Sequence, residues 1–420
     1  MTAAEVQRTY LALMLGNTLA ASLIWGINTL FLLDAGLSNA QAFAANAFFT
    51  LGMIIFEVPT GVVADTAGRR RSYQLGTLTL AGSTALYWGL WIVQGPFWAW
   101  ALVSVLLGLG FTFFSGAVDA WLVDALAATG FRGSLDSVLG RGQAVAGAAM
   151  LVGSVAGGVI AQASNLGVPF LLRAAILVVM FLVASWVMRD LGFTPAVGLG
   201  VRASVRKTLR ESVHHGLGSP PVRWVMLAAP LQAGVAIYAF YALQPLLLEL
   251  WGDPDAYAIA GTAAAVVAGS QILGGLVAAA VSARVARRTT VLIVTCVGAA
   301  ALLVGVGVAG AAGSFWAVLV LAAGWALFGA VGTPVQGAYL NGMIPSEQRA
   351  TVLSFASLMG SGGGVVIQPA LGRVADVSGY AASLAVGGVI QVLGAPLLAL
   401  SRRAAHPADR TTVGGSQPTP

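Results

Sequence analysis

Lysine is nearly missing from this chain. Of 420 residues one is lysine, Lys207, against twenty arginines, and only 9% of the chain is charged. A single lysine in a polar interval leaves no G-x-x-x-x-G-K-[ST] loop to cradle phosphates, so the chain is not its own ATPase. No lysine lies in an apolar run to carry a Schiff-base pigment either. Histidine is scarce as well: His214, His215 and His406 all fall in polar segments, which argues against a buried serine–histidine centre or a histidine-ligated metal. The lone cysteine, Cys296, can form no intramolecular disulfide and reads as a packing residue. Neither a cofactor, a metal site nor an enzymatic centre is expected.

Apolar residues fill the space that charge leaves. At 58% hydrophobic and a mean hydropathy of +0.87, the chain exceeds the ~45–50% apolar share of soluble domains. A bilayer takes about 20 apolar residues per helical span, and twelve such runs occur, at residues 10–33, 40–64, 72–94, 97–126, 138–163, 168–188, 222–250, 256–282, 290–311, 315–343, 350–376 and 379–400. They are continuous rather than alternating, so they predict helices and not a barrel. The first is too long for a signal peptide's apolar region.

Basic residues set the expected orientation. With the N-terminus cytoplasmic, 19 of the 21 Lys and Arg fall in cytoplasmic segments, leaving Arg173 and Arg373 outside. Both termini are therefore expected inside, and the net charge of +6 follows from topology without nucleic acid as a partner. The excess of arginine over lysine, with abundant Ala and Gly, points to a GC-rich bacterial source and so to the inner membrane. The organisation predicted is a six-helix bundle at 1–188, a cytoplasmic central loop at 189–221, a second bundle at 222–401 and a disordered tail at 402–420. Within the loop, Val201, Val205, Leu209 and Val213 share a stripe beside Arg202, Arg206 and Arg210, an amphipathic pattern suited to an anionic leaflet.

The halves echo one another. "GVVADTAGRR" (61–70) aligns with "AAVSARVARR" (279–288), so that Arg287 and Arg288 match Arg69 and Arg70 while Ala283 replaces Asp65. Paired halves are a common transporter design. The pattern Gly61, Asp65, Gly68, Arg69, Arg70 resembles the signature between the second and third helices of the major facilitator superfamily, although Thr66 stands where a basic residue is common there. "IPSEQRATVLSFASL" (344–358) is similar to the stretch leading into that superfamily's eleventh helix. The resemblance spans nearly the whole chain. It implies an all-α integral membrane protein of twelve transmembrane helices in two pseudo-symmetric six-helix bundles, with Asp65 as a conformational latch. Gly61 and Gly68 are expected to permit close helix approach and a tight turn. Asp124 is expected to pair with a basic residue such as Arg132 or Arg141.

Polar groups inside spans are costly and usually purposeful. Asn17, Trp25 and Asn28 lie nearly on one face of the first span. Tyr238, Tyr241 and Gln244 step along the seventh beside Pro245, Gln336 and Tyr339 stand beside Pro334 in the tenth, and Gln271 lies in the eighth. The resemblance places helices one, four, seven and ten around the substrate cavity. Each group reads either as an interhelical hydrogen bond or as part of an aromatic, mostly neutral pocket for an amphiphilic solute. Phosphates and dicarboxylates would call for several buried arginines, and none is evident away from span ends. Among the acids, Glu57 reads as a proton-coupling group or as a packing group beside the Pro59 kink, Asp119 as a gate or a proton site, and Asp34 as a third proton candidate. The expectation is a monomeric, proton-coupled secondary transporter, an antiporter exporting an amphiphilic small molecule. Metabolite uptake is one alternative, and a non-transporting receptor or scaffold on the same fold is another.

Overall fold

The computed structural model describes residues 1–114, 116–195, 210, 216–344 and 349–411. It divides into two units, Met1–Val205 with Asp253–Ala265, and Arg206–Gly252 with Val266–Pro420. The first holds α1 (Ala3–Trp25), α2 (Asn28–Asp34), α3 (Asn39–Ala67), α4 (Arg69–Val93), α5 (Phe97–Thr112), α6 (Ala117–Ala128), α7 (Leu135–Ala163) and α8 (Val168–Val187). The second is built from α9 (Pro220–Trp251), α10 (Tyr257–Arg284), α11 (Arg288–Ala311), α12 (Phe315–Met343), α13 (Arg349–Val392) and α14 (Gly394–Arg403), the start of α10 grouping with the first unit. The amphipathic stripe of the central loop, and most of the "IPSEQR" stretch, lie outside the described residues.

Helix starts follow local chemistry. Thr2 and Glu5 form a capping box at α1, and Ser38 and Gln41 another at α3. Among the described residues nine runs are long and apolar enough to cross a membrane, ten counting the bent pair α1 and α2. One of them, Val352–Arg403, contains two spans that part at Gly379, whose φ of 81° leaves the helix. Helix α4, with three arginines in its first turn, is the twelfth. The chain is thus an all-helical membrane protein of twelve spans in two six-helix bundles.

Two predicted spans are broken. Residues 10–33 bend by 47° between α1 and α2, where Gly26 lies so near Gly261 that a Cβ on it would sit 2.8 Å from the Gly261 Cα. Residues 97–126 divide into α5 and α6, the latter entered through Gly116 at φ +69°. Helices within a unit approach closely at small residues, as lipid-embedded bundles require: a Cβ at Gly157 of α7 would collide with the Leu23 carbonyl of α1, and one at Gly363 of α13 with Pro230 of α9. At one end of the first unit Phe31 stacks on Phe170 at 3.8 Å and meets Trp91 at 5.6 Å.

The tail departs from the expectation of disorder. Helix α14 runs to Arg403, and a 3₁₀ turn at Pro407–Asp409 follows. The buried Asp409 carboxylate accepts from the Thr289 N–H at 2.8 Å, and the Thr411 N–H donates to the Ala286 carbonyl at 3.1 Å. In the first unit Asp190 accepts from the Arg70 N–H at 2.9 Å. Each acid follows the last span of its unit and caps the second residue of that unit's third span, at a sequence separation of 120 in both cases. The start of the third span is thus capped by a following acid in both units, the capped residue being Arg70 in one and Thr289 in the other. The remaining tail residues, 412–420, lie outside the described residues.

Candidate functional site

The signature loop joins α3 to α4. Gly68 turns the chain at φ +107°, and a Cβ there would strike the Asp190 carboxylate that caps α4. Left-handed backbone and lack of space both require glycine at that position. Gly61 is different: it has open space beside it, so the close helix approach expected there is absent. Arg69 sits between two acids, its Nη1 2.6 Å from Asp65 Oδ1 and its Nε 3.9 Å from Asp124 Oδ2. Its guanidinium lies 6.0 Å over the Phe193 ring. The base beside Asp124 is therefore Arg69, not Arg132 or Arg141. Both of those are exposed, and Arg141 forms no ion pair among the described residues. The neighbour was missed because the interruption before α6 changes which face Asp124 presents. Arg70 donates from its side chain to the Ser185 carbonyl.

A cavity of about 260 Å³ opens within the first unit, walled by α1, α4, α5, α6 and α8. Helix α1 contributes Met14, Asn17, Thr18, Ala21 and Trp25, α6 contributes Val118 and Asp119, and Leu80, Phe111 and Phe114 add apolar surface. Asn17 accepts from the Tyr73 hydroxyl at 2.7 Å, and Asp119 from the Tyr10 hydroxyl at 2.9 Å. Tyr10 and Tyr73 are fully buried, so Asn17 and Asp119 are each held by a buried hydroxyl donor. Asp119 also lies in the first turn of α6, where the helix dipole favours an acidic side chain.

The remaining wall corrects the expected neutral pocket. Arg173 of α8 lines the same cavity and is only 7% exposed. The orientation count treats it as a flanking residue outside the membrane, yet it stands in "VPFLLRAAIL", five residues into a helix, or about 7.5 Å from its start at 1.5 Å per residue. One charge inside an otherwise apolar run was the available signal.

The other candidates separate. Asn28 is not part of the cavity wall and donates to Asn46 at 2.9 Å in the buried break of the first span. Asp34 is exposed at the end of α2 and accepts from Trp91 Nε1 at 2.7 Å. Glu57 is half-buried on α3 and is not part of the cavity wall. In the second unit Tyr238 and Gln244 are fully buried, Tyr238 bonding Ser383 at 2.5 Å. Tyr339 is equally buried in the apolar core, 3.2 Å from the Ser401 hydroxyl. These three are packing and hydrogen-bonding groups of the bundle rather than open pocket surface. Tyr241 and Gln336 are half-buried, and Gln271 is exposed.

A sequence profile described as Major Facilitator Superfamily matches residues 10–254 and 252–419. No curated protein matches the chain in sequence. Among solved structures the chain resembles the nucleoside transporter NupG, with a TM-score of 0.76 at 11% identity, covering 94% of this chain and 98% of that one. It resembles a bacterial homolog of the human lysosomal transporter Spinster, at 0.71 and 16%, over 98% and 99% of the chains. A D-xylose-proton symporter gives 0.67 and 16%, over 94% and 96%. At such identities the likeness is one of fold.

Proposed function

Because this chain belongs to the Major Facilitator Superfamily, and so to a family of transporters rather than enzymes, we propose that it is a proton-coupled secondary transporter exporting a small amphiphilic solute by alternating access. The observation that carries this reading is the cavity in which Asn17, Trp25 and Asp119 come together. Trp25, Phe111 and Phe114 offer aromatic surface to an apolar body, and Asn17 offers a hydrogen bond. Asp119 is the one carboxyl of the three sequence candidates that shares a cavity with these groups, which favours it over Glu57 and Asp34 as the proton carrier. Asp65, Arg69 and Asp124 act as the latch, with Gly68, Arg70 and Asp190 shaping their loop. The basic-residue bias supports cytoplasmic termini, and the excess of arginine over lysine, with abundant Ala and Gly, supports residence in a bacterial inner membrane.

The test uses proteoliposomes, a mixed solute library and an imposed pH gradient. The parent protein should concentrate at least one solute against a proton gradient. Asp119→Asn should still exchange labelled for unlabelled solute but fail to concentrate it. Concentration by that variant at the parent level passes the coupling role to Glu57. Accumulation running with the proton gradient identifies uptake instead, and absence of flux for every solute leaves the receptor or scaffold reading.

A further inference from the structure

We infer that the first-unit cavity recognises a single anionic group, a carboxylate borne on a compact apolar body, and that Arg173 is the residue that binds it. This rests on the transporter reading and narrows its substrate class. An arginine keeps its charge in proteins, and a charge placed inside a membrane-spanning helix is expensive unless it serves structure or ligand. Arg173 meets that description, being 7% exposed and set in α8 among Leu171, Leu172, Ala174 and Ala175. It also lines the cavity that holds Asn17, Trp25 and Asp119. A planar guanidinium presents its N–H groups in a fork that matches the two oxygens of a carboxylate.

The rest of the wall sets the other limits on the solute. Trp25, Phe111, Phe114 and Leu177 can enclose an apolar or aromatic body. The volume of about 260 Å³ lies just under the ~300 Å³ at which small-molecule pockets commonly begin, so the body is compact. Arg173 is the only basic group among the described lining residues, and Asp119 supplies an acidic one. A second anionic group on the solute would lack a cation and meet a carboxyl, so a monoanion fits where a dicarboxylate or a phosphate dianion does not. The amide of the same acid has the same shape without the charge, and therefore isolates what the guanidinium contributes.

The experiment measures binding to the purified full-length protein in detergent by thermal stabilisation. The probes are a series of phenyl-substituted and medium-chain monocarboxylates, each paired with its primary amide. At least one acid should bind the parent about tenfold to a hundredfold more tightly than its amide, the ratio produced by losing hydrogen bonds to a charged group. Arg173→Gln should abolish that preference, the acid then binding no more tightly than its amide. If Arg173→Gln does not fold, two folded variants decide: Arg173→Lys should keep part of the preference, and Ala21→Phe, which narrows the cavity from α1, should abolish binding. The inference is overturned if no acid is preferred over its amide by the parent. It is equally overturned if the preference survives in Arg173→Gln, or if both fallback variants bind as the parent does. None of these results depends on flux, so a failed transport reading, seen as absence of flux in proteoliposomes, is separately recognisable.

Discussion

A half-exposed ion pair adds little to folding, so the value of Asp65 must be sought in the balance between conformations. Its side chain is 51% exposed beside Arg69, and exposed pairs contribute only ~0–1 kcal/mol. Asp65→Asn should therefore leave the thermal midpoint nearly unchanged while lowering flux by about tenfold, the scale of an ordinary conformational coupling. Normal flux at unchanged stability would dismiss the latch. Buried single contacts behave in the opposite way. Tyr73→Phe removes the hydroxyl that Asn17 accepts and should cost ~0.5–1.5 kcal/mol, read as a lower thermal midpoint in detergent. The residues legible from sequence at this scale were those whose type alone is unusual in a span, Asn17, Trp25 and Asp119. Arg173 has the same signal but stands near a span start, where an arginine ordinarily reaches the interface.

Between helices, the decisive quantity is how closely two backbones approach. Gly157→Ala and Gly363→Ala would each push a methyl group into a carbonyl of the facing helix, and overpacking of this kind costs ~1–3 kcal/mol. Gly82 of α4 has nothing within contact range, so Gly82→Ala should be neutral or stabilise by up to ~1 kcal/mol through helix propensity. Thermal unfolding of the three variants side by side checks the contrast; equal shifts would mean that the close approaches carry no weight. The two caps offer a second comparison. Asp190→Ala and Asp409→Ala each remove a carboxylate from the start of a third span and should each cost ~0.5–2 kcal/mol. If only Asp190→Ala destabilised, the repeated device would be real in one half alone.

At the scale of the whole molecule, orientation is a matter of where charge resides. The arginine bias predicts that Arg71 and Asp253, both exposed, lie on opposite sides of the membrane. In a background with the buried Cys296 replaced by serine, Arg71→Cys should react with a membrane-impermeant thiol reagent only after cells are opened. Asp253→Cys should react in intact cells. The reverse pattern would invert the topology and, with it, the assignment of the latch to the cytoplasmic side.

Spans, their number and the repeat were legible because hydropathy is a local property: twenty apolar residues demand a helix in lipid whatever surrounds them. The Gly-x-x-x-Asp-x-x-Gly-Arg-Arg loop was legible for the related reason that charge and glycine cannot lie idle at a span end. Which face of each helix meets which neighbour was not. An apolar run has no polar stripe to reveal its buried side, and a break such as those before α2 and α6 rotates everything beyond it. Only the tertiary structure therefore placed Tyr339 and Tyr238 in the core, brought Arg69 to Asp124, folded Asp409 back onto Thr289 and set Arg173 in the cavity with Asp119. Each of these depends on contacts between residues dozens to more than a hundred positions apart, whose geometry is decided by helix packing rather than by residue type.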